Sequence, residues 1–366
     1  MTSPSTNLQS LGYTPSMAQH LVEQNLTAFE PGRVVAEHKE RYLVRTAEGD
    51  VEAEITGNLR FTAQSREDYP AVGDWVVLMR YDGGNALIQA VLPRASLISR
   101  QAVGKYGERQ VIAANIDVAF VVLAMDRDFS LNRLERYLSI CYASKVTPVV
   151  VLTKTDLVTT DYLAERIATI NARQAHIDVL AVSNTSQAGY SQLEAAMEPG
   201  KTYCLLGSSG VGKSTLTNNL CGGTLMKTDT ISDSTGKGRH VTSHRELMVL
   251  PNGAILIDNP GMREVGVADA GKGLEKAFDT IAHYAQHCRY QDCTHRSEKG
   301  CAVLEALDNG DISMAAYENY LRIAQESAFF ESTVLERKKK DKQLGKLLKH
   351  YGKLNVKGKK NEDGGL

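Results

Sequence analysis

The chain is poor in several things at once. It has one tryptophan, nine prolines and six cysteines in 366 residues. So little proline, without a glycine repeat, excludes a collagen-like chain. Six cysteines are too few for a disulfide scaffold at this length. No run approaches the roughly 18 to 20 apolar residues that a membrane span needs. Met1 to Ser10 has neither the basic start nor the apolar stretch of a secretory signal, so the expected setting is cytoplasmic, with no membrane partner. Excess charge is missing too: 42 Lys plus Arg against 43 Asp plus Glu leave a formal −1, which excludes a uniformly basic nucleic-acid wrapper. With 42% hydrophobic and 23% charged residues the chain is not wholly disordered. At roughly 150 residues per domain the length suggests two or three domains.

The near-neutral total hides an asymmetry. Glu336 to Leu366 holds eleven Lys or Arg and four acids, a net +7, which leaves −8 for the rest. Such a tail can release counterions from a phosphate backbone, and its bland alternative is a solvated terminus.

Periodicity divides the chain. Residues 1–31 read as a polar, mobile extension with a helical turn or two near Met17 to Asn25. From 32 to 98, five short β-like runs (Arg33–Ala36, Tyr42–Thr46, Val51–Ile55, Trp75–Arg80 and Ala86–Leu92) are separated by turn chemistry. Five strands in so few residues suit a small barrel, and an OB-fold is the natural candidate. From 99 to 267, continuous apolar strands such as Asp117–Met125 and Val146–Leu152 alternate with amphipathic helices, the mark of a parallel α/β sheet. Residues 268–335 read as helical with a metal-like insertion, and 336–366 are the basic tail.

The strongest chemical signal is Gly207-Ser208-Ser209-Gly210-Val211-Gly212-Lys213-Ser214-Thr215, a complete G-x-x-x-x-G-K-[ST]. It follows a predicted strand, Thr202–Leu206, and opens a helix that runs to about Cys221. Glycines let successive N–H groups curl toward phosphate oxygens, and the helix N-terminus adds partial positive charge. Lys213 would then reach the β- and γ-phosphates, and the Ser214 hydroxyl would ligate Mg²⁺.

Thr153-Lys154-Thr155-Asp156 ends a buried strand and resembles the guanine-reading [NT]-K-x-D of GTPases. A buried carboxylate there accepts from guanine N1–H and N2–H₂, donors that adenine does not present together. Asp258-Asn259-Pro260-Gly261 matches D-x-x-G, with Asp258 toward Mg²⁺ and the Gly261 N–H toward the γ-phosphate. Ser183-Asn184 is an S-A-like loop whose backbone would touch the guanine O6. The order is unusual: guanine motif, S-A-like loop, phosphate loop, D-x-x-G. This is a circular permutation of the Ras-like order, acceptable because each motif sits at the carboxyl end of a parallel strand. It makes the segment after D-x-x-G feed directly into the C-terminal region.

Cys288, Cys293, His295 and Cys301 place three thiolates and one imidazole within fourteen residues. That inventory suits one tetrahedral structural zinc ion with no open position for catalysis. His283 and His287 are read as bystanders, and Cys141, Cys204 and Cys221 as core residues.

A permuted GTPase between a five-stranded barrel and a C-x₄-C-x-H-x₅-C site resembles the bacterial small-ribosomal-subunit biogenesis GTPases, the RsgA or YjeQ family. The likeness runs from about Gly32 through the cysteine cluster and includes Gly73-Asp74-Trp75-Val76. It implies GTP hydrolysis stimulated by the small (30S) subunit, contact with its rRNA and a role late in its assembly. The protein itself is expected to be a monomer. Three positions depart from the family pattern: Asn259 for a threonine, Asn184 for an alanine, and Gly238-Arg239-His240-Val241-Thr242 for G-x-H-T-T. Thr242 is then the candidate switch I hydroxyl near Mg²⁺. Met262 stands where Ras-like enzymes carry the glutamine that positions water, so the isolated protein should hydrolyse slowly. His240 or a group of the docked ribosome would orient the water instead. The rival readings are a non-catalytic RNA-binding assembly factor that holds nucleotide structurally, and a P-loop kinase or ATPase, which has no use for Asp156.

Overall fold

The computed structural model describes residues 7–38, 41–81, 84–101, 109–126, 129–223, 246–258 and 271–331. Gly261, the switch I candidates His240 and Thr242, and the basic tail lie outside them.

Five strands form the expected barrel: β1 (Glu30–His38), β2 (Arg41–Thr46), β3 (Gly49–Ile55), β4 (Trp75–Arg80) and β5 (Ala86–Val91). β1 pairs with both β2 and β4, β3 runs parallel to β5, and β5 pairs with β4, so the ring closes as in an OB-fold. Alternation drives this closure: in β3, Val51, Ala53 and Ile55 are buried while Glu52 and Glu54 are exposed. Helix α1 (Pro15–Glu23) precedes the barrel and helix α2 (Gly57–Thr62) joins β3 to β4.

The N-terminal segment is less independent than its polarity suggested. Thr14 caps α1 by accepting from the Met17 N–H, with Pro15 at the first turn. Leu11 and Leu21 are buried with Trp75, Val77 and Leu92 in a small core of their own. A few well-placed leucines suffice to dock a mostly polar segment.

A hairpin of β6 (Leu97–Gln101) and β7 (Arg109–Ala114) leads into the parallel sheet. That sheet holds β8 (Val118–Ala124), β9 (Thr147–Thr153), β10 (Val179–Ala181), β11 (Thr202–Leu206) and β13 (Ile255–Asp258), with β12 (Glu246–Val249) antiparallel at its side. The order β10-β9-β8-β11-β13-β12 continues into β1 through a single register pair, Ala36 opposite Glu246. The central strands are apolar on both faces because both are covered. Val121 and Leu123 face one core, and Phe120 and Val122 face the other.

The first of these faces packs α3 (Leu131–Ala143) and α4 (Thr160–Arg173), the second α5 (Tyr190–Ala195) and α6 (Lys213–Leu220). The C-terminal helices α7 (Gly271–Ala277), α8 (Asp279–Ala285), α9 (Ala302–Asp308) and α10 (Met314–Glu331) share the first core, with Leu274, Phe278 and Ile323 against Leu134, Leu138 and Cys141. Among the described residues no helix is long and apolar enough to cross a membrane.

One buried cation joins these parts. Arg33 is 1% exposed on β1. It donates to the carbonyls of Leu11, Gly73 and Asn115 and, at 2.8 Å, to the Thr202 hydroxyl. Burial lowers its pKa to about 10, with Asp117 and Asp74 pulling the other way, so it stays charged at neutral pH. Gly73 is needed for this approach: its φ is +92°, and a Cβ there would lie 2.2 Å from the Ala114 carbonyl.

Candidate functional site

The nucleotide motifs sit on loops at the carboxyl ends of β9, β10, β11 and β13, neighbours in one sheet apart from the intervening β8. Gly207 to Gly212 turn the chain from β11 into α6, which begins at Lys213. Gly210 and Gly212 have φ of +79° and +95°, the left-handed turns a phosphate cradle requires. The Lys213 ammonium lies over the loop, donating to the carbonyls of Gly207 (2.8 Å) and Ser208. Ser214 and Thr215 follow on the first turn of α6, both half-buried. Asp258 ends β13 beside them, 8% exposed, while its partner Gly261 lies outside the described residues.

The base side is tied to the phosphate side. Thr153 Oγ1 donates to the Val211 carbonyl at 2.6 Å, clamping the end of β9 onto the phosphate loop. Lys154 adopts φ +60°, and its ammonium pairs with Asp126 at the end of β8. Thr155 and Asp156 begin a short 3₁₀ turn. Ser183 Oγ donates to Asp156 Oδ1 at 2.6 Å and holds the carboxylate in one orientation. Asp156 is exposed, not buried as the sequence suggested. An arriving base would have to supply the dehydration itself.

Several contacts were invisible in the sequence. The Asn184 side chain donates to the Gly212 carbonyl at 3.0 Å; the sequence places Asn184 in the S-A-like loop for its backbone and gives its side chain no role beyond replacing the usual alanine. Arg133, on the first turn of α3, donates to Ser208 Oγ at 2.9 Å. Nothing distinguishes it in the sequence from other helical arginines.

The cysteine cluster assembles as the spacing foretold. The ligand atoms of Cys288, Cys293, His295 and Cys301 all lie within 4.8 Å of one another. Cys288 Sγ is 3.8 Å from Cys301 Sγ, and His295 Nδ1 is 3.5 Å from each of them. A tetrahedral ion with metal–sulfur bonds near 2.3 Å gives edges of about 3.8 Å between sulfurs and about 3.6 Å from sulfur to nitrogen. The residues therefore fit a four-coordinate metal. Burial lowers the His295 pKa, which favours the neutral imidazole that a metal binds. Burial works against a Cys288 thiolate, but the N–H groups of Val303 and Ala302 at the start of α9, with the other thiols, outweigh it and hold the thiol low. The loop between the ligands is shaped by Glu298, which accepts from the N–H groups of Thr294, Arg296 and Ser297. His283 and His287 stay outside the cluster; His287 Nδ1 meets only the His283 carbonyl among the contacts described. Cys141 and Cys204 are buried in the core as expected.

Comparison with known proteins agrees with this geometry. A family model described as RsgA GTPase matches residues 91–268. A model of ABC transporters matches residues 190–364, a stretch that contains the same phosphate loop. The chain is 42% identical over 299 residues to the small ribosomal subunit biogenesis GTPase RsgA of Methanosarcina acetivorans, covering 81% of this chain and 79% of that one. It is 40% identical over 340 residues to small ribosomal subunit biogenesis GTPase RsgA 1 of Listeria innocua, covering 92% and 94%. In fold it resembles the crystal structure of YjeQ from Thermotoga maritima, with a TM-score of 0.61 at 23% identity over 82% of this chain and 98% of the other. It likewise resembles YloQ, described as a circularly permuted GTPase, with a TM-score of 0.59 at 20% identity over 83% and 97%. With its motifs in permuted order on one sheet, and with relatives of this identity over most of its length, the chain belongs to the RsgA GTPase family.

Proposed function

We propose that this GTPase converts GTP to GDP and phosphate as a late assembly factor of the small ribosomal subunit, binding its rRNA and accelerated by the subunit. One observation carries the reading: a serine-held carboxylate, Asp156, stands across a shared loop contact from a complete phosphate cradle. The relatives' names, which speak of small ribosomal subunit biogenesis, supply the partner.

Within that reading Asp156, Lys154 and the Ser183 loop take the guanine, and residues 207–215 take the phosphates. Lys213 is the cation that follows charge onto the γ-phosphate. Ser214, Asp258 and Thr242 would hold Mg²⁺, which neutralises phosphate charge when bound. Met262 leaves the attacking water without a side-chain amide, so His240 or the docked subunit orients it. The four-ligand cluster holds structural zinc. The working division is 1–31, 32–98, 99–267, 268–335 and 336–366, with the barrel and the basic tail as RNA contacts. The protein acts as a cytoplasmic monomer.

GTP turnover with and without purified small subunits tests the proposal. Slow intrinsic turnover that rises steeply with subunits is expected. A protein that binds GTP but shows no turnover in either condition is a structural RNA-binding factor instead. Equal affinity for ATP and GTP removes the guanine reading.

A further inference from the structure

Two adjacent carbonyls of the phosphate loop each accept a hydrogen bond from a different base-side loop. Val211 accepts from Thr153 at 2.6 Å, and Gly212 accepts from the Asn184 amide at 3.0 Å. The second bond is part of a small closed network. Tyr190 OH donates to Asn184 Oδ1 at 2.8 Å. Asn219 of α6 donates to the Asn184 carbonyl at 3.0 Å and to Tyr190 OH at 2.9 Å. The partners fix the amide orientation, because a carbonyl can only accept and Tyr190 spends its proton on Oδ1. Burial pushes the Tyr190 hydroxyl up to about 12, so it remains a donor at any working pH.

The geometry is specific to this pair of residues. Gly212 has φ +95°, and a Cβ at that position would lie 2.6 Å from Asn184 Nδ2. An alanine at 184 has no amide to reach across. The neighbouring Ser183 points the other way, to Asp156 at 2.6 Å. Consecutive residues of one loop therefore grip the base-reading carboxylate and the start of the phosphate-binding helix.

We propose that Asn184 is a positioning residue that locks the guanine-reading loop onto the phosphate loop, so that it sets how long a nucleotide stays bound. This rests on the guanine-nucleotide reading above. A lock between the two halves of a site acts on escape more than on encounter. It acts on GDP and GTP alike, because the bond lies between base and cradle and not at the γ-phosphate.

The test uses the full-length protein with Asn184→Ala, Tyr190→Phe and both together. Association and dissociation of fluorescent GDP and of a non-hydrolysable GTP analogue are followed by stopped flow. Asn184→Ala should speed dissociation of both nucleotides by about tenfold, or roughly 1.4 kcal/mol, with association changed less than twofold. Tyr190→Phe should move dissociation the same way by a smaller factor, and the double variant should release no faster than Asn184→Ala alone. A fall in association as large as the rise in dissociation would mark a damaged site and overturn the lock. So would unchanged dissociation in Asn184→Ala, or additive effects in the double variant. If the wild-type protein retains neither nucleotide, the guanine reading itself falls and the lock falls with it.

Discussion

Arg133, at the start of α3, donates to Ser208 in the phosphate loop at 2.9 Å, and the next turns of the same helix are fastened to the C-terminal region. Glu135, 2% exposed, accepts from Arg173 of α4 at 3.0 Å and from Asn319 of α10. Arg136 pairs with Glu326 of α10. The permuted order suggested that the C-terminal region hears of the nucleotide through the segment after D-x-x-G. Helix α3 is a second, fully described connection.

If α3 carries state, its loss should be felt in a ratio. A GTP-like nucleotide is expected to tighten subunit binding over GDP, and a tenfold preference needs only about 1.4 kcal/mol of coupling. Arg133→Ala should shrink that ratio severalfold, as residues between coupled sites do. Subunit affinity measured with a GTP analogue and with GDP decides it. An equal loss in both states would confine Arg133 to local packing.

The basic tail should behave differently. Truncation after Leu335 removes eleven cations and four acids. Affinity should drop in both nucleotide states with the ratio kept, and the salt dependence should become shallower. A ratio that collapses on truncation would place the coupling in the tail.

Asp156→Asn should cost GTP binding about 3 kcal/mol, on the order of a hundredfold, since two bonds to a charged acceptor are lost. An amide can donate to the second carbonyl of xanthine, so the variant should gain affinity for XTP. Titration with both nucleotides reads this, and unchanged GTP affinity refutes the base assignment.

Metal analysis should return one zinc per chain. Cys293→Ala should lose it and melt the segment around 288–301 without unfolding the barrel. Acid should release the ion, because thiolates and imidazole must be deprotonated to bind. Hydrogen exchange with and without chelator locates the loss; a metal-free protein with an intact C-terminal region would be contrary.

Glu135 gives a pH signature. Burial raises its carboxyl, and the bonds from Asn319 and Arg173 offset this only in part. The folded value lies above the unfolded one, so its contribution is fully present below the unfolded value and lost as pH rises through the folded value. Relative to Glu135→Gln, the wild type should therefore gain stability as pH falls from neutral toward the carboxylate range. Denaturant unfolding at several pH values checks the difference, and a constant difference would deny the shift.

Much of this was legible in the sequence. The run from Asp117 to Met125 announced a doubly covered strand because a strand without polar alternation has nowhere to sit but inside. The phosphate loop and the four metal ligands were readable because their chemistry demands fixed spacing. Contacts set by distant packing were not. Arg33 reaches Thr202 across 169 positions, and Asn184 meets Gly212 across 28. No local pattern encodes such partners. The exposure of Asp156 was missed for a related reason, since the sequence describes a carboxylate in use and the structure describes its setting.

Arg33 also imposes an order on the protein's making. Its four acceptors come from Leu11, Gly73, Asn115 and Thr202, so they leave the ribosome at widely different times. The barrel is translated first, and Arg33 lies on the face of β1 opposite Val34, outside the barrel core, so this cation between the modules lacks its last partner until β11 has emerged. Until then water solvates the guanidinium, and the cost of burying it arises only when the N-terminal segment, Asn115 and β11 close over it and supply their acceptors. The barrel core, built from Val34, Val44 and Ile88 among others, is complete within its own strands, whereas the seam that fastens it to the nucleotide-binding sheet is sealed last, by the phosphate loop's own strand.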